Sequence, residues 1–362
     1  MTADTVGGIW TYALNLAAGL AEQGVATVLL LLGPPADAAQ RAAAAAVPGL
    51  ELRESNLPLD WLAETPEAVA AATRALADWV AREGVDLLHL NNPALAAGTR
   101  FGVPVVGLCH SCLATWWHSM RRGPMPADFA WRSRLLAAGY AASDMLVAPT
   151  AAFAAATAAA YALPRLPRVV HNGCAAPRAA AIAQAGFAFT AGRLWDEGKD
   201  VATLDRAAAQ LGWPVLAAGS VAGPNGACVA LQHLRLLGRL DAEAMAAVLA
   251  QGPVFVSAAR YEPFGLAVLE AAQAGCALVL SDIPSFRELW DGAALFVPPG
   301  DGRAFATAIG DLLQDRERRA ASCAASRERA RRYGRGTMAR DMLRIYAELL
   351  QAPAAAAAGE AA

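Results

Sequence analysis

Apolar residues in this chain come in short uninterrupted runs. Each run is followed by a longer stretch in which apolar positions recur at helical spacing. The run VATVLLLL at Val25–Leu32 is strand-length and stops at Gly33-Pro34-Pro35, which cannot continue a ladder. Further strands are expected at Leu50–Glu54, Val85–Leu90, Val103–Cys109, Met145–Ala148 and Arg168–His171. In the second half they are expected at Phe187–Ala191, Val215–Ala218, Val254–Ser257, Ala277–Ser281 and Ala294–Val297. Helices are expected at Ile9–Gln23, Glu67–Glu83, Ala127–Ala142, Ala151–Tyr161, Asp200–Leu211, Ala242–Ala250, Gly265–Ala274 and Arg303–Leu313. Helical sequence then runs from Glu317 to about Leu350, broken at Tyr333-Gly334-Arg335-Gly336. Apolar strands alternating with helices imply parallel sheets covered on both faces.

A length of 362 residues suits two such domains. The boundary is expected between HNG at His171–Gly173 and FTAGRL at Phe189–Leu194, with the alanine-rich stretch between them as a linker. This gives an N-terminal Rossmann-like domain at 1–175, a C-terminal one at 176–335, and a last segment at 336–362. That segment is read as a helix that packs back on the first domain, followed by a frayed tail, APAAAAAGEAA. Ligands of doubly wound α/β sheets bind at the carboxyl ends of the strands, here in the cleft between two domains. Apolar residues make up 56% of the chain and the net charge is −2, so nothing points to nucleic acid as a partner. No run has spanning length and no secretory signal pattern is evident, so a soluble, cytoplasmic protein is expected. Of the six cysteines only Cys109 and Cys112 are close, and no second ligand pair accompanies them. Reduced thiols and no metal site are expected.

The densest chemistry lies in YEPFGLAVLEAAQAGCALVLSD, Tyr261–Asp282. A strand precedes it and a helix opens near Phe264, so the amides of Phe264, Gly265 and Leu266 are placed to hold phosphate. Glu262 just outside the helix and Glu270 about two turns inside, roughly 12 Å of rise, could grip hydroxyl groups at opposite ends of an extended ligand. The ordinary alternative makes Glu262 a terminal acid and Glu270 a solvated one. The flanks Leu266, Val268, Leu269 and Ala271 speak against that for Glu270, because a carboxylate amid apolar sequence wants a partner. Arg193 and Lys199, in GRLWDEGK after another strand, suit a diphosphate. Taken alone, they read equally as surface charge beside Asp196, Glu197 and Asp200.

Together these segments resemble the retaining, nucleotide-sugar-dependent glycosyltransferases of family 4 (glycosyl transferases group 1), which have the GT-B architecture. The family's Glu-x7-Glu signature is matched by Glu262 and Glu270, and its Arg…Lys pair by Arg193 and Lys199. SDIPSFREL at Ser281–Leu289 and FVPPGD at Phe296–Asp301 match its ending. GGIWTYALNLAAGLAEQG resembles its glycine turn and first helix, so Gly7 and Gly8 are placed near donor phosphates or sugar. His110, ending the strand VVGLCH, stands where the family often has a histidine near the transferred sugar; His89 is a similar strand-end histidine.

The resemblance implies transfer of a sugar from a nucleotide-diphosphate sugar to an acceptor hydroxyl with retained anomeric configuration, in polysaccharide or glycolipid synthesis. It implies no cofactor beyond the co-substrate and no metal, and no Asp-x-Asp motif is present. In it, Arg193, Lys199 and the helix start stabilise the leaving group, Glu262 holds sugar hydroxyls and Glu270 the ribose. A sugar-nucleotide epimerase of similar fold, or a truncated chain that binds without transferring, remain open alternatives.

The segment TWWHSMRRGPMPADFAWRSRL at Thr115–Leu135 interleaves Trp116, Trp117 and Trp131 with arginines. It reads as a platform for a saccharide or lipid-linked acceptor with weak peripheral membrane contact, or as a helix–loop–helix with buried tryptophans. The family has a central strand before its glycine turn, and only Met1–Asp4 precede it here. The first strand is therefore expected to be truncated, and a chain extended upstream is expected to be more stable.

Overall fold

The computed structural model describes residues 1–175 and 185–351. The expected linker at 176–184 and the tail at 352–362 lie outside the described residues. The N-terminal half comprises β1 (Thr2–Ala3), α1 (Gly8–Ala21), β2 (Thr27–Leu31), α2 (Ala38–Ala45), β3 (Leu50–Glu54), α3 (Pro66–Glu83) and β4 (Leu88–Leu90). It continues with β5 (Val105–Leu108), α4 (Leu113–Met120), α5 (Ala127–Ala142), β6 (Met145–Ala148), α6 (Ala151–Tyr161) and β7 (Arg168–Val169). Strands pair in the orders β1-β2-β3 and β4-β5-β6-β7, every pair parallel. The two sheets meet at Asn91, whose backbone N–H donates to Thr2 Oγ1 at 3.1 Å and whose Nδ2 donates to the Thr2 carbonyl at 2.6 Å. The two-residue β1 thus lies centrally, laddered to β2 on one side and joined through Asn91 to the end of β4 on the other.

The C-terminal half contains β8 (Ala188–Ala191), α7 (Val201–Ala208), β9 (Val215–Ala218), β10 (Arg235–Gly238), α8 (Ala242–Ala250) and β11 (Val254–Ser257). Then come α9 (Leu266–Ala274), β12 (Ala277–Ser281), α10 (Pro284–Trp290), β13 (Leu295–Val297), α11 (Gly302–Gln314), α12 (Arg316–Ala330) and α13 (Arg335–Gln351). Its sheet is parallel throughout, ordered β10-β9-β8-β11-β12-β13. Phe189, Phe255, Leu278 and Leu280 pack against α9 and α10 on one face, while Val254, Val256 and Val279 pack against Phe305 and Ile309 of α11 on the other. Burial on both faces is why these strands read as unbroken apolar runs.

Two departures from the expected elements have local causes. Strand β10 is absent from the apolar pattern because all four of its residues are exposed at the sheet edge. The crossover leading to it carries no helix: Gly223, Pro224, Asn225 and Gly226 interrupt the segment, which closes instead through an Ala222–Cys228 bridge. Helices α2 and α10 are also additional to those expected, and each is short.

The two halves are tied by α13. Met338, Ala339, Met342, Ile345 and Tyr346 share a buried cluster with Tyr12, Leu16 and Leu20 of α1. Before α13 the chain runs beside the end of the first domain, with a Cys174–Gly334 bridge and Arg335 N–H donating to the Cys174 carbonyl at 3.1 Å. A Cβ on Gly19 would stand 2.7 Å from that of Ala339, so α1 and α13 touch where neither has side-chain bulk. Gly19→Leu is expected to push α13 off α1 and to cost about 1–3 kcal/mol in urea denaturation. An unchanged midpoint would mean the contact is not part of the folded core.

Candidate active site

Strand β11 ends in a turn, Ala258–Gly265, which is held from several directions. Arg260 and Tyr261 donate their N–H groups to the Gly198 carbonyl at 2.8 and 3.1 Å. Ser285 Oγ donates to the Glu262 carbonyl at 2.5 Å, and Thr150 Oγ1 from the first domain donates to that of Pro263 at 3.0 Å. Tyr261 Oη crosses the same interface, accepting from Cys112 N–H at 3.1 Å and bonding Thr115 Oγ1 at 2.8 Å. The turn closes at Gly265, whose φ of +89° suits only glycine, and no side chain caps α9. Among the described residues, the amides of Phe264, Gly265, Leu266 and Ala267 donate to nothing. A cluster of unsatisfied N–H groups at the positive end of a helix is an anion site in waiting. Only the backbone of Phe264 is available, because its ring is buried against Tyr333.

Cations flank this helix start. Lys199 Nζ pairs with the carboxylate of Glu262, and Arg193 Nη2 donates to Asp196 Oδ2 at 2.8 Å. From the other domain, a Cβ on Gly7 would lie 3.4 Å from Arg193 Nη1 and one on Gly8 3.7 Å from Leu266 Cδ1. The glycine turn therefore faces the same cations and amides across the cleft. Asp4 lies near Arg193; burial raises its pKa, and the Arg193 charge works the other way.

Glu270 stands on α9 itself. Burial lifts its pKa to about 7, and among the described residues it has no hydrogen-bond partner. The helix begins only at Leu266, so Glu262 lies in the turn and the expected 12 Å of helical rise between the two carboxylates does not apply. Pro263 and the left-handed Gly265 bend the chain between them.

His110 follows β5, and its Nε2 lies 2.6 Å from Asn91 Oδ1 with its ring edge-on to Tyr12 at 4.5 Å. Burial lowers its pKa to about 4, so the ring is neutral near pH 7. His89 is buried within the same network, its Nδ1 2.6 Å from Tyr346 Oη. Two residues after His110, Cys112 carries the contact to Tyr261, the residue before Glu262.

The first half of the chain, residues 6–176, matches the model described as Glycosyltransferase Family 4, and residues 185–315 match Glycosyl transferases group 1. Each half of the chain thus matches a glycosyltransferase family model. A phosphatidyl-myo-inositol mannosyltransferase from Mycolicibacterium smegmatis is 35% identical over 117 residues, which is 32% of this chain and 30% of that protein. One from Mycobacterium leprae is 35% identical over 119 residues, 32% of each chain. The matched stretch thus spans about a third of the length of these curated relatives. The fold is shared over nearly the whole chain with a sucrose-phosphate synthase from Thermosynechococcus elongatus (TM-score 0.78, 18% identity, 97% of this chain and 99% of that one). It is likewise shared with the Anabaena protein Alr3699/HepE solved with UDP and glucose (TM-score 0.71, 16% identity, 96% and 99%). The two halves are accordingly the two parallel-sheet α/β domains of the GT-B fold.

Of the three tryptophans, Trp116 stands beside Gly198, the residue before Lys199. Trp116 lies under the Arg121 guanidinium at 5.0 Å, with its Nε1 against Gly198, and Arg121 pairs with Glu197 across the cleft. Trp117 donates Nε1–H to the Gly123 carbonyl at 3.0 Å. The segment is a helix–loop–helix, α4 to α5, in which all three tryptophans are half-buried. Among the described residues Arg121 and Arg132 are paired with Glu197 and Asp128, whereas Arg122 and Arg134 are exposed and have no acidic partner.

The sequence reading passed over Asn91, Tyr12 and Tyr261, whose contacts join residues far apart in the chain. It also passed over a signal in plain view: of 30 Lys and Arg residues, Lys199 is the only lysine. A chain that uses arginine everywhere else keeps a compact ammonium only beside Glu262.

The half-buried carboxyl of Glu270 couples stability to pH. Its folded pKa is raised from 4.5 to about 7, so the folded state binds the extra proton and stability falls as pH rises through that window. Glu270→Gln removes this cost, on the order of 3 kcal/mol above pH 7. The variant is expected to melt higher than the parent at pH 8 and equally at pH 4.5, as read by calorimetry. A pH-independent difference would contradict the assignment.

Proposed function

We propose that this protein transfers a sugar from a nucleoside-diphosphate sugar to an acceptor hydroxyl with retention of anomeric configuration. One observation carries the reading: unsatisfied amides at the start of α9 stand between Lys199, Arg193 and the glycine turn at Gly7-Gly8. That arrangement is shaped for a diphosphate. The solved Anabaena neighbour holds UDP and glucose, and the mycobacterial relatives are mannosyltransferases by name.

The bond that breaks joins C1 of the sugar to a phosphate oxygen, and the charge left on that oxygen is the main barrier. Arg193, Lys199 and the α9 amides neutralise it without reorganising. C1 passes through oxocarbenium character, and the acceptor oxygen arrives on the face that the phosphate leaves. The departing phosphate oxygen, on that same face, takes the acceptor's proton. Glu262 holds donor-sugar hydroxyls once Lys199 turns toward phosphate, and Glu270 offers its carboxylate to the ribose. His110 orients the sugar. The reading assigns no cofactor and no metal. Among the described residues no helix is long and apolar enough to cross a membrane. A lipid-linked acceptor would meet the exposed Arg122 and Arg134 beside Trp116 and Trp117, a contact that salt-sensitive liposome binding would detect.

Lys199→Ala is expected to lower turnover by ~10²–10³ with little change in melting, because it removes one preorganised charge. Glu270→Ala is expected to weaken nucleotide-sugar binding in titration calorimetry instead. Lys199 is also the only ε-amine, so an amine-directed reagent should label it and UDP or GDP should protect it. Inverted product stereochemistry, or normal turnover in both variants, would overturn the proposal. Epimer formation without an acceptor would favour the epimerase instead.

A further inference from the structure

The hydrogen bonds around Asn91 determine where His110 carries its proton. The Thr2 carbonyl can only accept, so the Asn91 atom 2.6 Å from it is the amide nitrogen. The other terminal atom, Oδ1, therefore faces His110 Nε2 at 2.6 Å and His89 Nε2 at 3.3 Å. An amide oxygen can only accept, so both Nε2 atoms bear hydrogen. Neither ring is charged near neutral pH, since burial lowers both pKa values, that of His110 to about 4. Each Nδ1 is then a lone pair. For His89 that lone pair takes the hydroxyl hydrogen of Tyr346 on α13 at 2.6 Å. For His110 no described residue supplies a donor to Nδ1. His110 lines a small niche with Tyr12, Pro149 and Asn172, and Tyr12 Oη there is buried without a partner.

We infer that Asn91 is a positioning residue which locks His110 in the Nε2–H tautomer, so that Nδ1 is an obligate acceptor for a hydroxyl of the bound substrate. The inference rests on the glycosyl-transfer reading for the identity of that hydroxyl, but the tautomer belongs to the protein alone. An acceptor-only nitrogen selects a sugar hydroxyl and rejects a phosphate oxygen, which has no hydrogen to give. This separates the work of His110 from that of Arg193 and Lys199, which can only donate.

The chain has five histidines, so ¹⁵N labelling of histidine gives a spectrum simple enough to assign by substitution. In the ligand-free wild type at pH 7.5, His110 is expected to show a protonated Nε2 and a bare Nδ1. Asn91→Leu is expected to mix the two tautomers and to lower kcat by about 10–100-fold, the range for losing an orienting partner of a functional histidine. Should that variant fail to fold, the wild-type spectrum still decides, and Asn91→Asp supplies a second reading. A carboxylate there favours the imidazolium, so the His110 titration and the acid limb of the kcat profile should both rise by more than one pH unit. The ionisable groups around this ring are Tyr12 on α1, His89 on β4 and Cys109 beside it, with Tyr346 and the Met1 amino group next to His89; none is a carboxylate. A wild-type His110 protonated at Nδ1, or an unchanged tautomer in Asn91→Leu, would overturn the inference. Absence of sugar transfer with the Nε2–H tautomer confirmed would instead count against the reading of function.

Discussion

One buried side-chain amide links the two sheets of the first domain to each other and to a histidine. Asn91 joins two parallel sheets by bonding the backbone of β1, and its oxygen fixes a histidine at the rim of the cleft. Burial makes this a strict arrangement, because an unpaired amide group inside the protein costs roughly 1–3 kcal/mol. The sheet can close only if Asn91 faces one way, and in that orientation only one atom of His110 is left for a ligand. Fold and chemistry are coupled through a residue that touches neither the cations nor the helix start.

The second domain follows the opposite policy, leaving groups unsatisfied where the first domain satisfies them. Among the described residues the amides at the start of α9 have no partner, Glu270 has none, and Gly265 takes the place of a capping Ser or Asp. A side-chain cap there would add about 1 kcal/mol of stability and would occupy the proposed anion site. Lys199 and Glu262 hold each other meanwhile, so neither is stranded while the cleft is empty. The site is therefore assembled before any ligand arrives, at the expense of local stability, a trade common where function needs unpaired groups.

How much of this could be read in advance depended on how far apart the partners lie. Strands buried on both faces, such as Val254–Ser257 and Ala277–Ser281, were legible to the residue because their whole surroundings are apolar. Strand β10 was not, since an exposed edge imposes no pattern on its side chains. The Glu262–Glu270 spacing was visible, but the bend at Gly265 that removes the helical rise between them depends on one backbone angle. The neighbours of His110 were invisible, because Asn91 meets Thr2 across 89 positions and Tyr346 meets His89 across 257. Local signals locate groups; long-range contacts decide what those groups can do.

The paired passage at Cys174 and Gly334 has a mechanical consequence. The chain crosses between the domains going out and coming back, and both crossings are fastened side by side at one point. A Cβ on Gly173 would sit 2.5 Å from the Gly334 carbonyl oxygen, so the two segments approach more closely there than a side chain would allow. Two tethers pinned together act as a pivot: translation of one domain along the other is blocked, and rotation about the pin is what remains. Any opening of the cleft would then swing the α9 end and the glycine turn apart along an arc, separating Arg193 from Gly7 and Leu266 from Gly8 in a single movement.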